Sequence, residues 1–439
     1  MKKLFAVLGM LLAASCLFAG GNRDRAGGGT DISFLSMFTN PTADANSKAF
    51  YGMTEKFAKD FPAIKVSYEA IPHDEYETKM KTYVAAGEYP DIYEVKGTMI
   101  PQLAEDGVIY TAKEIMDLVP GWEAGFKNGV FEDFIYKNTA YALPMQMGNN
   151  HNIFWNSDIF RECGITEFPA DWASFAAAMD KIKAKGYIPI VQGNKANWLV
   201  PSLLFNAIVY RYTGVDWYYS VRENRGAKFT DRQFVAAAAL LQDMAKNGYF
   251  NTDINSIDQH QMYTVYYNKK AAMMVDGFWG VGTFVDEMPK DVLAATKIAQ
   301  FPLIPESMGG GGAKYAKINQ AAAGWGYVVT KRKGDTPEKL KAMAQLVQYV
   351  TGSGYANIVV ENSGLPASKT SNIDESKLSP LYRELLALNN ESQYAPVFDV
   401  QLNPQIVDAF YSNTQELLIG TITPQRYAEL IQAEVDKTR

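Results

Sequence analysis

Apolar and polar positions along the chain switch repeatedly between a period of two and a period of three to four, and each switch predicts a strand passing into a helix. Residues 30–37 (TDISFLSM) alternate and predict a first strand, with Phe38-Thr39-Asn40-Pro41 as its exit loop. Phe50, Met53, Phe57 and Phe61 then recur at helical spacing up to Pro62, and 64–71 (IKVSYEAI) predicts a second strand. Asp74 and Glu77 read as the capping box of a helix that carries Tyr76, Met80 and Tyr83 on one face and stops at Gly87. Residues 91–95 predict a third strand. Strand and helix alternating in this way build βαβ units around a parallel sheet, so the fold class is α/β.

The same pattern returns further on. Trp172, Phe175, Met179 and Ile182 share a helix face before Gly186, and 187–191 (YIPIV) reads as a buried strand. Thr230 reads as the cap of a helix with Phe234, Leu241 and Met244 inward, ended by Gly248. Residues 271–275 (AAMMV) and 326–330 (GYVVT) predict two more strands. Thr336-Pro337 and Thr423-Pro424 are helix starts, the second opening a final helix with Tyr427, Ile431 and Val435 on one side.

Length and charge narrow the function. A chain of 439 residues suits two lobes better than one core. Lys2 and Lys3 precede an apolar run at 4–15 (LFAVLGMLLAAS), too short for a permanent span and suited to a secretion signal. Two processing sites are open. Cleavage after Ala19 would leave a soluble chain, whereas Ala13-Ala14-Ser15-Cys16 reads as a lipobox with Ala13 in place of the usual Leu, and would put a lipid on Cys16. Residues 20–29 form a Gly-rich polar tether. Loss of Lys2 and Lys3 takes the formal charge from −6 to −8, which argues against nucleic acid as a partner. Only Cys16 and Cys163 are present, so a processed chain has no internal disulfide to form.

Motifs of chemistry are weak. His73, His151 and His260 have no metal-ligand spacing, and Gly309 to Gly312 followed by Ala313-Lys314 lacks the order of a phosphate loop. No nucleophile elbow is present, and no cofactor is expected. The positive signal is aromatic: 26 Tyr, 23 Phe and 7 Trp, residues whose flat faces suit the C–H faces of sugar rings when amides and carboxylates stand nearby for hydroxyls. Most of them must be core, so position decides. Candidates at strand ends and polar loops are Phe38, Asn40 and Asp44, Lys96 and Thr98, Gln146 and Asn149, Trp198, and Asp276 with Trp279; Trp325 stands between Gly324 and Gly326. Trp279 is expected to be the main ring-stacking platform and Asp276 a hydroxyl acceptor beside it.

Taken in order, residues 57–95 with Pro62, Ala85-Ala86-Gly87 and Pro90-Asp91, then Tyr141-Ala142-Leu143-Pro144, Phe154-Trp155-Asn156, Lys270-Ala271-Ala272-Met273, Gly277-Phe278-Trp279, Gly324-Trp325-Gly326, Gly364-Leu365-Pro366 and Thr423-Pro424 resemble the extracellular solute-binding proteins of bacterial ABC importers, in the family 1 group of maltose and oligosaccharide binders. The resemblance covers nearly all of the chain after the tether. It implies the two-lobed periplasmic-binding-protein fold of class II type with a hinge, lobe I at 30–143 and 325–372, and lobe II at 144–324 and 373–439. It also implies an exported, monomeric, non-enzymatic clamp that takes a sugar between its lobes and delivers it to the transmembrane subunits of an ABC permease. Asp399, in a late loop like the family's, joins the expected ligand contacts. Two other readings stay open: an exported carbohydrate-active enzyme, and the same clamp with another polar solute.

Overall fold

The computed structural model describes residues 30–438, so the expectations for the signal segment, the tether and Cys16 lie outside the described residues. Alternation along Thr30–Ser36 turns Ile32 and Phe34 into the core. This strand is central enough to pair in parallel with both Ile64–Ala70 and Ile92–Lys96. Beyond Ile92–Lys96 the sheet continues antiparallel through Trp325–Val329 to Leu143–Pro144. Helices Ala45–Asp60, His73–Ala86, Pro337–Tyr349 and Ser353–Glu361 cover it with Phe57, Tyr76, Met343 and Tyr355, all buried.

A second sheet has the order Thr296–Ala299, Asn152–Asn156, Ala271–Asp276, Ile188–Val191, its first two pairings antiparallel and the last parallel. Phe175, Phe205, Phe234, Phe410 and Tyr427 pack its helices into a separate hydrophobic core, and Cys163 is buried within it. The first core draws on both an early stretch of chain and a later one around Ala323 to Ala367. Two α/β layers therefore form, each with its own interior. Between them lies a small sheet in which Ile318–Ala322 pairs antiparallel with Gly148–Asn149 and parallel with Gln393–Ala395.

Strand limits fall within one or two residues of those read from periodicity, and Thr336 and Thr423 do cap their helices, accepting from the amides of Lys339 and Arg426. Two caps differ. His73–Ala86 begins after Pro72 with no side-chain cap, because the carboxylates of Asp74 and Glu77 are drawn to His73, Trp198 and Lys96 instead. The helix Arg232–Lys246 follows Asp231 rather than Thr230, and Asp231 accepts from the Trp217 indole and the Lys228 amide.

Candidate functional site

A cavity of about 410 Å³ lies between the two cores, with lining from both sides. The chain leaving Thr30–Ser36 contributes Phe38 and Asn40, and Asp44 closes that loop as the cap of the next helix, accepting from the Ser47 amide at 2.8 Å. Lys96 ends one strand and Trp325 begins the strand beside it, directly paired in register. From the other side come Trp198, in the loop after Ile188–Val191, and Trp279, three residues past the end of Ala271–Asp276. Strand ends facing a gap between sheets are where α/β folds place ligands.

The aromatic rings form a row across that gap. Trp279 and Trp198 have centroids 6.1 Å apart, Trp198 and His73 5.3 Å, and His73 and Trp325 5.7 Å. The row joins the two sides, since the Trp198 indole N–H donates to Asp74 Oδ1 at 3.2 Å. Other ties span the same gap: Thr283 Oγ1 donates to the Ala43 carbonyl at 3.0 Å, Lys81 pairs with Asp408 at 3.3 Å, and Lys48 pairs with Asp286. Trp279 keeps its ring over the backbone of Gly277, where any Cβ would overlap the indole.

Charge at the site is arranged around Lys96. Its ammonium lies 2.5 Å from Glu77, 3.5 Å from Asp399 and 5.2 Å from the Trp325 ring centroid. Burial opposes a charge on Lys96, yet the two carboxylates outweigh it and hold the ammonium above the usual lysine range. Asp399 also accepts from the Tyr411 hydroxyl at 2.6 Å. Burial pushes the Asp44 carboxyl up, partly offset by donation from Ser47. Asp74 is held low, chiefly by its bond to His73.

Nine of the twelve residues expected from sequence line the cavity: Phe38, Asn40, Asp44, Lys96, Gln146, Trp198, Trp279, Trp325 and Asp399. Three do not. Asp276 is wholly buried behind the wall, where it accepts from Gln259 Nε2 and the Gly277 amide, each at 2.8 Å, and from the Tyr263 hydroxyl. With its lone pairs spent inside the fold it positions Gln259 and Tyr263, which line the cavity, and burial raises its carboxyl to about 7. Asn149 is buried in the small linking sheet, its amide donating to Ser392 Oγ at 3.3 Å. Thr98 sits in the turn Gly97–Met99, which Gly97 packs tightly against the backbone of Asp133 and Val400, and it is not among the lining residues.

The sequence reading missed His73, Asp74, Asn46, Gln259, His260 and Tyr263, all on the lining. Two of only three histidines converge there, a signal that a search for metal spacing alone passes over. Among the described residues no group of three His, Cys, Asp or Glu is placed to hold a metal ion, and no helix is long and apolar enough to cross a membrane.

Two α/β layers with a lined gap between them define a clamp-type binding protein, and the profile of the bacterial extracellular solute-binding proteins matches residues 41–357; the chain belongs to that family. It is 21% identical over 453 aligned positions to the melibiose/raffinose/stachyose-binding protein MelE of Bacillus subtilis, covering 99% of this chain and 96% of the relative. It is 23% identical over 257 positions, 55% of each chain, to an ABC transporter extracellular-binding protein of Pyrococcus horikoshii. With a probable sugar-binding periplasmic protein of Mesorhizobium japonicum it shares 29% over 144 positions, 32% of this chain and 33% of the other. The chain thus spans only about a third to a half of the length of these last two. Among solved structures, a chitin oligosaccharide binding protein superposes with a TM-score of 0.84 at 21% identity, over 94% of this chain and 99% of the other. A sugar transporter from Bacillus licheniformis in complex with stachyose gives 0.71 at 17%, over 93% and 100%. The two-lobed α/β fold expected from sequence is the fold observed.

Proposed function

We propose that this chain is the capture component of a sugar importer: it closes on a saccharide between lobes at 30–143 with 325–372 and 144–324 with 373–439, and passes it, chemically unchanged, to an ABC permease. The row Trp279, Trp198, His73, Trp325 carries this reading, because aromatic rings set at an angle to one another beside Gln146, Asn40 and Asp399 offer what a sugar ring needs on its faces and edges. Relatives named for melibiose, raffinose, stachyose and chitin oligosaccharides support the saccharide class. A thermal-shift screen of those sugars tests it. A ligand that binds only the folded chain raises the melting temperature with concentration, and mass spectrometry should recover that ligand intact. No shift with any saccharide contradicts the reading, and a cleaved ligand would favour a carbohydrate-active enzyme.

The clamp works as a monomer, tethered at the cell envelope through a lipid on Cys16. The composition of residues 20–29, rich in Gly and polar residues, supports the tether, since such a sequence suits a spacer between a surface and a folded body. The mass of the mature N-terminus decides: a diacylated Cys16 is expected, and an unmodified chain beginning at Gly20 contradicts it.

A further inference from the structure

We infer that this cleft selects against anionic saccharides, with Asp399 as the residue that sets the selection; the inference rests on the saccharide reading above. The charged residues of the lining are unbalanced. The lining carries four aspartates, Asp44, Asp74, Asp258 and Asp399, and Lys96 as the one lysine or arginine among its described residues. That ammonium is already committed to two carboxylates, Glu77 at 2.5 Å and Asp399 at 3.5 Å. Glu77, Lys96 and Asp399 together therefore carry a surplus negative charge, and the Lys96 and Asp399 side chains are only 8% and 7% exposed.

Water screens little at such a site, so a surplus charge there acts on whatever enters. A neutral sugar brings hydroxyl donors, which meet these acceptors. A uronate or sugar phosphate brings a second anion and must leave its own hydration behind, with no uncommitted lysine or arginine among the described lining residues to replace it. The imidazole of His73 offers no relief, because Asp74 holds it at 3.0 Å.

The test is to titrate melibiose, maltose and N,N′-diacetylchitobiose, each beside the same sugar oxidised at C6 to a uronate, against the wild type and two variants. Whichever neutral sugar binds should bind at least about tenfold more tightly than its uronate. Asp399→Asn should narrow that gap, and so should Asn40→Lys, which adds a cation at an exposed lining position and leaves the buried Lys96 group intact. Equal affinity of a sugar and its uronate, or a gap that neither variant changes, overturns the charge inference while the saccharide reading stands. Binding of uronates alone does the same. If no sugar of either kind binds, the saccharide reading falls and this inference falls with it. A melt of each variant identifies one that has failed to fold, and the other then decides.

Discussion

At the scale of single residues, the fate of Trp279 shows how a buried strand delivers a ring to a cavity. The strand Ala271–Asp276 is buried throughout, and Phe278 turns back into the core at 1% exposure, so the next side chain is the first free to face the gap. Gly277 lets the indole lie over the backbone, and Asp276 fixes the corner from behind. Cutting Trp279 to Ala should then cost on the order of 1–3 kcal/mol of sugar affinity, by analogy with other aromatic stacking contacts, and little global stability. Calorimetric titration with a denaturant melt of the same sample checks both, and unchanged affinity contradicts the platform. Trp279, Trp198 and Trp325 were legible in sequence because glycines and strand ends surround them. Asp74 was not. Read locally it completes a capping box, and of its actual partners, His73 is its neighbour and Trp198 lies 124 residues away on the other side of the cavity. Asp276 shows the converse: a carboxylate at a strand end beside a tryptophan reads from sequence as a lining residue, and the structure buries it behind the wall.

At the scale of elements, the strand Ile92–Lys96 ties the site to the first core. All five residues are buried, and Lys96 at its end holds the charged cluster. Two residues earlier, Glu94 is sealed inside, accepting from Ser36 Oγ at 3.0 Å and the Met37 amide at 2.7 Å. Burial raises its carboxyl from 4.5 to about 8, the donors opposing only in part. A folded value above the unfolded one means that the stability it contributes is whole below about pH 4.5 and is lost as pH rises through about 8. Glu94→Gln removes that proton. Between pH 5 and pH 9 the wild type should lose stability relative to this variant by on the order of 1–3 kcal/mol, read from urea melts at each pH. Parallel curves would show that Glu94 does not titrate in this window. Elements governed by neighbours in sequence were legible, as Thr336-Pro337 and Thr423-Pro424 show. The start of Arg232–Lys246 was missed by one residue, since Thr230 and Asp231 are both good caps and the contacts of Asp231 with Trp217 and Lys228 go with the second position.

At the scale of the whole molecule, two interiors of separate composition meet around one cavity, joined by the small sheet of Gly148–Asn149, Ile318–Ala322 and Gln393–Ala395. The ties that cross the gap include the buried pair of Lys96 with Asp399, the contacts of Trp198 with Asp74 and Thr283 with Ala43 on the cavity wall, and the pairs of Lys81 with Asp408 and Lys48 with Asp286. Exposed ion pairs such as Lys81 with Asp408 contribute little. Sequence order foretold two layers, but the pairing of Trp325–Val329 with Ile92–Lys96 joins segments more than two hundred residues apart, which local periodicity does not encode. The capture proposed above requires hinge closure on a solute. Small-angle scattering with and without the best sugar from the thermal-shift screen tests this most directly: a smaller radius of gyration at saturation is the predicted result, and an unchanged radius with the sugar demonstrably bound would contradict the clamp.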